Sequence, residues 1–199
     1  MFYSFFHLIF VLSRQNIINS KDFSDAIDVI VANRYETKLD YSTINNNNLT
    51  IAIAKLITNK IPLIYSNQGN LEAVNLRWRA QIQENSNQMC FGNYYPELNH
   101  NEINGWSLPA ELIDKFVVIA IKDEADSAEL NETLTNSLEL LKESNRNVIE
   151  LTVEGEFLLD RMVKLICIAD WVSFYLAIFN SVDPTPIPEI AKLKKRKEK

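Results

Sequence analysis

The chain reads as an α/β protein with a parallel sheet covered by helices on both faces. Short apolar runs alternate with amphipathic stretches along its length. The runs Ile61-Pro62-Leu63-Ile64-Tyr65 and Phe116 to Ile121 are apolar throughout, as strands buried on both faces are, where a half-exposed strand would alternate. A third sign is the segment 156–180, apolar around most of its circumference as a central helix would be.

The elements follow in order. Residues 2–14 and about 22–38 are expected to be helical; in the second, Phe23, Ala26, Ile27, Ile30 and Val31 keep a 3–4 spacing. A third helix is expected near 47–58, after the asparagine run Asn45–Asn48, which reads as a loop. The strand at 61–65 turns through Ser66-Asn67-Gln68-Gly69 into a helix over about 70–85. There Leu71, Val74, Trp78 and Ile82 line one stripe, and Arg77, Gln81 and Glu84 share a flank. Met89 to Phe91 is the expected second strand, 116–121 the third and Val148 to Leu151 the fourth. Between the last two, Ala128, Leu130, Leu134, Leu138 and Leu141 mark a helix. Asp183-Pro184-Thr185-Pro186 ends the central helix, and a short helix follows.

Composition narrows the function classes. With 199 residues, 47% of them hydrophobic, the chain can bury a real core as one domain with extensions. A net charge of −6 argues against nucleic acid as a partner, and the basic run at 192–199 reads as a solvated helix end. Cys90 and Cys167 lie in apolar segments without metal-binding spacing, as small core residues of a reduced, cytoplasmic protein do. The opening MFYSFFHLIFVL is short of the ~20 residues of a membrane span and lacks a signal peptide's basic start, so it is read as a core-docking or interface helix, with no membrane partner. His7 is read as packed or at an interface.

The candidate chemistry centres on Gln83-Glu84-Asn85-Ser86 and on Pro96-Glu97-Leu98-Asn99-His100-Asn101-Glu102. A carboxylate and an imidazole are what an isomerase needs near neutral pH, one to move a carbon-bound proton and one to handle ring oxygens. The base must come within about 3 Å of that proton and be partly desolvated, which the end of a half-buried helix could provide. One histidine between Glu97 and Glu102 is too sparse for zinc, so no metal or other cofactor is expected.

These words resemble the second sugar-isomerase (SIS) domain of the bifunctional phosphoglucose/phosphomannose isomerases. The likeness runs from Ile61–Tyr65 through Gly69–Val74 and Arg77–Ser86 to Pro96–Glu102 with Gly105-Trp106. It resumes at Asp170–Ser173, Tyr175–Ala177 and Val182–Ile187, covering roughly residues 55–195. The resemblance implies a three-layer αβα fold of SIS type, with residues 1–45 as a helical extension like that family's inter-domain connection and 46–199 as the SIS domain. It also implies metal-free aldose–ketose isomerisation of glucose or mannose 6-phosphate to fructose 6-phosphate through a cis-enediolate. Glu84 would be the base and His100 the ring-opening group, reaching the site from a neighbouring subunit. Thr185 would contact the sugar, though it reads equally as a turn residue between prolines, and Lys192 would be a polar ring-opening partner.

A phosphate cradle is the missing part. The four glycines, at 69, 92, 105 and 155, form no GxG, and the Ser66–Gly69 turn reads as an ordinary strand-to-helix turn. In the family, that cradle and an enediolate-stabilising arginine belong to a preceding SIS domain. Arg77 could replace the arginine, but reads better as a surface ion pair with Glu84. The expectation is therefore a C-terminal half, inactive alone, working as a homodimer or with a separate N-terminal SIS domain. The alternative is a non-catalytic SIS-fold binding module that has lost its phosphate site.

Overall fold

The computed structural model describes residues 2–19, 21, 23–25, 27–28, 31, 41–144 and 146–197. Four strands, β1 (Ile61–Asn67), β2 (Phe91–Tyr95), β3 (Phe116–Lys122) and β4 (Asn147–Thr152), form one sheet in the order β2-β1-β3-β4. Every pairing is parallel, with Leu63 opposite Phe91 and Val118, and Val118 opposite Val148. The helices are α1 (Phe2–Arg14), α2 (Leu49–Ile57), α3 (Glu72–Ser86), the single turn α4 (Ala110–Ile113), α5 (Ala128–Glu143), α6 (Leu158–Phe179) and α7 (Pro188–Lys197). Two 3₁₀ turns, Glu97–His100 and Glu102–Gly105, follow β2.

Two separate cores explain the sequence of the central strands. Ile64, Val117, Ile119 and Ile121 pack on one face beneath α2, α3 and α6, with Trp78 and Leu165 among the buried side chains. Tyr65, Val118 and Ala120 point to the other face and pack with Tyr95, Leu98 and the Leu134, Leu138 and Leu141 stripe of α5. Alternate residues thus serve opposite cores, so β1 and β3 carry apolar side chains at nearly every position. The arrangement is a three-layer αβα sandwich. The edge strands differ: β2 and β4 mix buried, half-buried and exposed residues.

Several local expectations need correction. The second strand starts at Phe91, two residues later than the apolar run Met89–Phe91 suggests, because Met89 is exposed and the pairing with β1 runs from Phe91 to Tyr95. The helix expected over 22–38 lies largely outside the described residues. Helix α1 is present over 2–14, with Leu8, Phe10 and Val11 exposed and Ser13 buried. His7 is likewise exposed. Cys90 is buried, and burial pushes its thiol up to about 12. Cys167 is only partly buried. Among the described residues one helix, α6, is long and apolar enough to cross a membrane by length and composition. Half of that window is buried inside the fold.

The asparagine run has a structural purpose at its end. Asn48 is the N-cap of α2: its Oδ1 accepts from the amides of Thr50 and Ile51, at 3.0 and 3.2 Å, and from the Thr50 hydroxyl. Its Nδ2 donates to the carbonyls of Tyr41 and Thr43, tying the approach of the chain to the helix start. Asn48→Ala is expected to cost about 1–2 kcal/mol, at the upper end for an N-cap because both ends of the amide are engaged. Urea denaturation of the two forms measures it, and a loss within error would show the cap to be idle.

Candidate functional site at the ends of the sheet

Helix α3 is bolted to α6 by polar contacts on its flank. Arg77 Nη2 and Gln81 Nε2 both donate to Asp170 Oδ1, at 3.2 and 2.5 Å. Asn85 Nδ2 donates to Ser173 Oγ at 2.9 Å. Arg77 is therefore paired with Asp170 and not with Glu84, since helix packing brings a carboxylate of a distant segment closer than the exposed neighbour seven residues on. Glu84 itself is exposed on the last turn of α3, not half-buried. The packing that buries Gln81 and Ser86 turns the intervening Glu84 to solvent.

The carboxyl ends of α3 and α6 form one edge of the molecule. Asn180 Nδ2 donates to the Ser86 carbonyl at 3.1 Å and to Gln88 Oε1 at 2.8 Å. Gln88 Nε2 in turn donates to the carbonyls of Ile57 and Lys60, which fixes this edge at the amino end of β1. Asn59, Asn87 and Ser181 all adopt left-handed backbone here, letting three chain segments turn sharply off helix ends. Between them opens a cleft of about 540 Å³ lined by Asn59, Lys60, Ser86, Asn87, Phe179 and Asn180, among others. Glu84 lies two residues before this lining. Thr185 lies a few residues beyond it, exposed, with its amide held by Asp183 Oδ1 at 2.8 Å. Lys192 is exposed on α7 with its ammonium 2.5 Å from Glu189 Oε1.

His100 stands at the opposite edge, beyond the carboxyl end of β2. It is exposed, and its turn is pinned by neighbours: Leu98 is fully buried, and Asn99 Oδ1 accepts from Ser137 Oγ of α5 at 2.8 Å. Two residues on, Glu102 accepts from Tyr65 Oη and from Asn93 Nδ2. Burial, and then the Glu102 carboxylate, hold the Tyr65 phenol far above its ordinary range. Tyr65 and Asn93 are structural partners that sequence reasoning missed; the available signal was a tyrosine within an otherwise apolar strand. The length of β1, seven residues at about 3.3 Å each, puts about 20 Å between the two edges. One copy therefore gathers Glu84 and the Thr185 segment at one edge and keeps His100 away from them.

The Ser66–Gly69 turn holds its own amides. Gly69 N donates to Glu72 Oε1 at 2.7 Å, and Gln68 N to the Tyr95 carbonyl at 2.9 Å. Its geometry is that of an ordinary strand-to-helix turn. Among the described residues no group of three or more histidine, cysteine, aspartate or glutamate side chains is placed to hold a metal ion.

Comparison with known proteins places this geometry. Residues 46–196 match the model of the bacterial phospho-glucose isomerase C-terminal SIS domain. A bifunctional phosphoglucose/phosphomannose isomerase of Caldicellulosiruptor bescii is 30% identical over 98% of this chain and 57% of its own length. One from Aquifex aeolicus is 35% identical over 74% of this chain and 45% of its own length. The chain thus spans about half the length of these curated relatives. In fold it resembles a glucose-6-phosphate isomerase like protein from Thermus thermophilus, with a TM-score of 0.57 at 18% identity over 69% of this chain and 45% of that one. With three quarters of its length matched and its sheet and helices in agreement, the chain belongs to the bacterial phospho-glucose isomerase C-terminal SIS domain family.

Proposed function

We propose that this chain is the C-terminal half of an aldose–ketose isomerase acting on glucose or mannose 6-phosphate, inactive by itself. Residues 46–199 form its SIS domain, with 1–45 as the connecting extension. Glu84 moves the proton between C2 and C1, and Thr185 and Lys192 contact the sugar. His100 assists ring opening and arrives from a second copy. The phosphate grip comes from an N-terminal SIS domain, and no metal or cofactor takes part. A cytoplasmic homodimer, alone or with that domain, is the corresponding assembly.

The observation that carries this reading is the split of the site between the two edges. Glu84 and the Thr185 segment flank one cleft at the amino end of β1, while the pinned, exposed His100 follows the carboxyl end of β2, as parts completed by another chain would. One observation favours the second reading, a non-catalytic module: Glu84 stands in solvent, without the water-excluding surroundings that a catalytic carboxylate needs. A covering domain would remove that water.

The test mixes this chain with an N-terminal SIS domain of a relative and follows fructose 6-phosphate formation. Turnover is expected only in the mixture, and Glu84→Gln is expected to lower it by about 10²–10⁴. Turnover by the chain alone, or equal turnover with glutamine at position 84, would overturn the assignment.

A further inference from the structure

We infer that Glu102 is the positioning residue for His100, acting as a double acceptor that clamps the histidine-bearing turn to two strands. This deepens the isomerase reading and rests on it for its catalytic meaning; the clamp itself is a property of the fold. Its carboxylate reaches Tyr65 Oη of β1 with one oxygen and Asn93 Nδ2 of β2 with the other, at 2.7 Å for the amide. Trp106, just past the second turn, donates its Nε1 to the same Tyr65 oxygen at 3.2 Å, and Arg146 Nη2 holds the Trp106 carbonyl at 3.1 Å.

Only a carboxylate of this length satisfies both donors at once. Asn93 cannot rotate its amide to suit another partner, because its Oδ1 already accepts from the Tyr94 amide at 2.9 Å. A glutamine at 102 would keep one acceptor, for Tyr65, and set its NH₂ against the NH₂ of Asn93. The His100 imidazole has no side-chain hydrogen bond among the described residues, so the order of its ring is inherited from the 3₁₀ turn that carries it. An outward-facing imidazole on a turn fixed from both sides is preorganised to act on something outside its own copy.

The chain has two histidines, His7 and His100, so ¹³C-histidine NMR of the full chain reports on each, with His7 as the internal reference. Glu102→Gln is expected to average the His100 ring signal and to raise amide exchange over residues 97–106 about tenfold, the loss of one hydrogen bond. His7 should be unaffected. Asn93→Asp combined with Glu102→Gln restores complementarity, since the glutamine then donates to the carboxylate introduced at position 93 and accepts from Tyr65, and both readouts should return to wild type. If Glu102→Gln does not fold, Tyr65→Phe removes the other half of the clamp and should loosen the same signals. An unchanged His100 signal in the single variant, or no recovery in a folded double variant, would overturn the assignment. Neither readout needs isomerase activity, so failure here is distinguishable from failure of the isomerase reading. In the reconstituted enzyme the clamp variants should lower kcat and leave KM little changed.

Discussion

Replacing Arg161 with methionine is expected to cost about 3–5 kcal/mol of folding stability, because it strands a buried carboxylate. Asp123, at the carboxyl end of β3, has a side chain 1% exposed. It receives Arg161 Nε at 2.7 Å and Nη2 at 3.3 Å, while Nη1 of the same guanidinium holds the Gly155 carbonyl at 2.7 Å. One side chain thereby joins β3, the loop after β4 and α6. The pair's own worth is smaller than the cost of breaking it, since both charges were desolvated to form it. Converting Asp123 to asparagine in the Arg161→Met background should therefore recover much of the loss, the amide oxygen still accepting from the Ala125 amide as Asp123 Oδ1 does at 3.0 Å. Urea denaturation of the wild type, the single and the double variant makes the cycle. A single variant within about 1 kcal/mol of wild type would show that water reaches the site.

Trp78→Ala is expected to be of similar size, about 3–5 kcal/mol, through a different mechanism. The indole is fully buried where α3, α6 and the sheet meet, and its Nε1 donates to the Leu165 carbonyl at 3.0 Å. Alanine removes that bond and leaves a cavity between helices already fixed to each other by Asp170 and Ser173, so collapse around it is resisted. Domains of this kind have about 5–15 kcal/mol in total, so the variant should unfold at markedly lower urea. Trp78→Phe, which keeps much of the apolar volume, should lose less than half as much. Equal losses for both variants would mean that the hydrogen bond, not packing, dominates.

The central elements were legible because their cause is local. β1, β3 and α6 declare themselves through apolar runs that no exposed segment could carry, and the Leu134–Leu138–Leu141 stripe gives α5 by spacing alone. The strand β2 starts later than its apolar run suggests because Met89 is exposed and precedes the pairing with β1, while the strand continues through Asn93 and Tyr94, polar-capable residues that an edge position tolerates. Contacts across long separations were not legible. Asp170 lies 93 residues from Arg77, and nothing in the local pattern ranks it above Glu84 as a partner. Asp123 and Arg161 carry no motif. Asn48 was hidden in a run of identical residues, although its geometry is that of any N-cap. For the candidate site, the sequence singled out Glu84, His100, Thr185 and Lys192 one by one, but that His100 falls at the opposite edge from Glu84 and Thr185 is a property of the fold.

Val118 and Ile119 are adjacent in the chain yet belong to different cores, divided by a continuous layer of backbone. The molecule therefore offers two compartments that can be altered independently. Volume changes beneath α5 and changes beneath α3 and α6 should combine as simple sums, whereas two changes within one compartment should not. An engineer could repack the α5 side to raise heat tolerance and leave undisturbed the helix ends that frame the cleft.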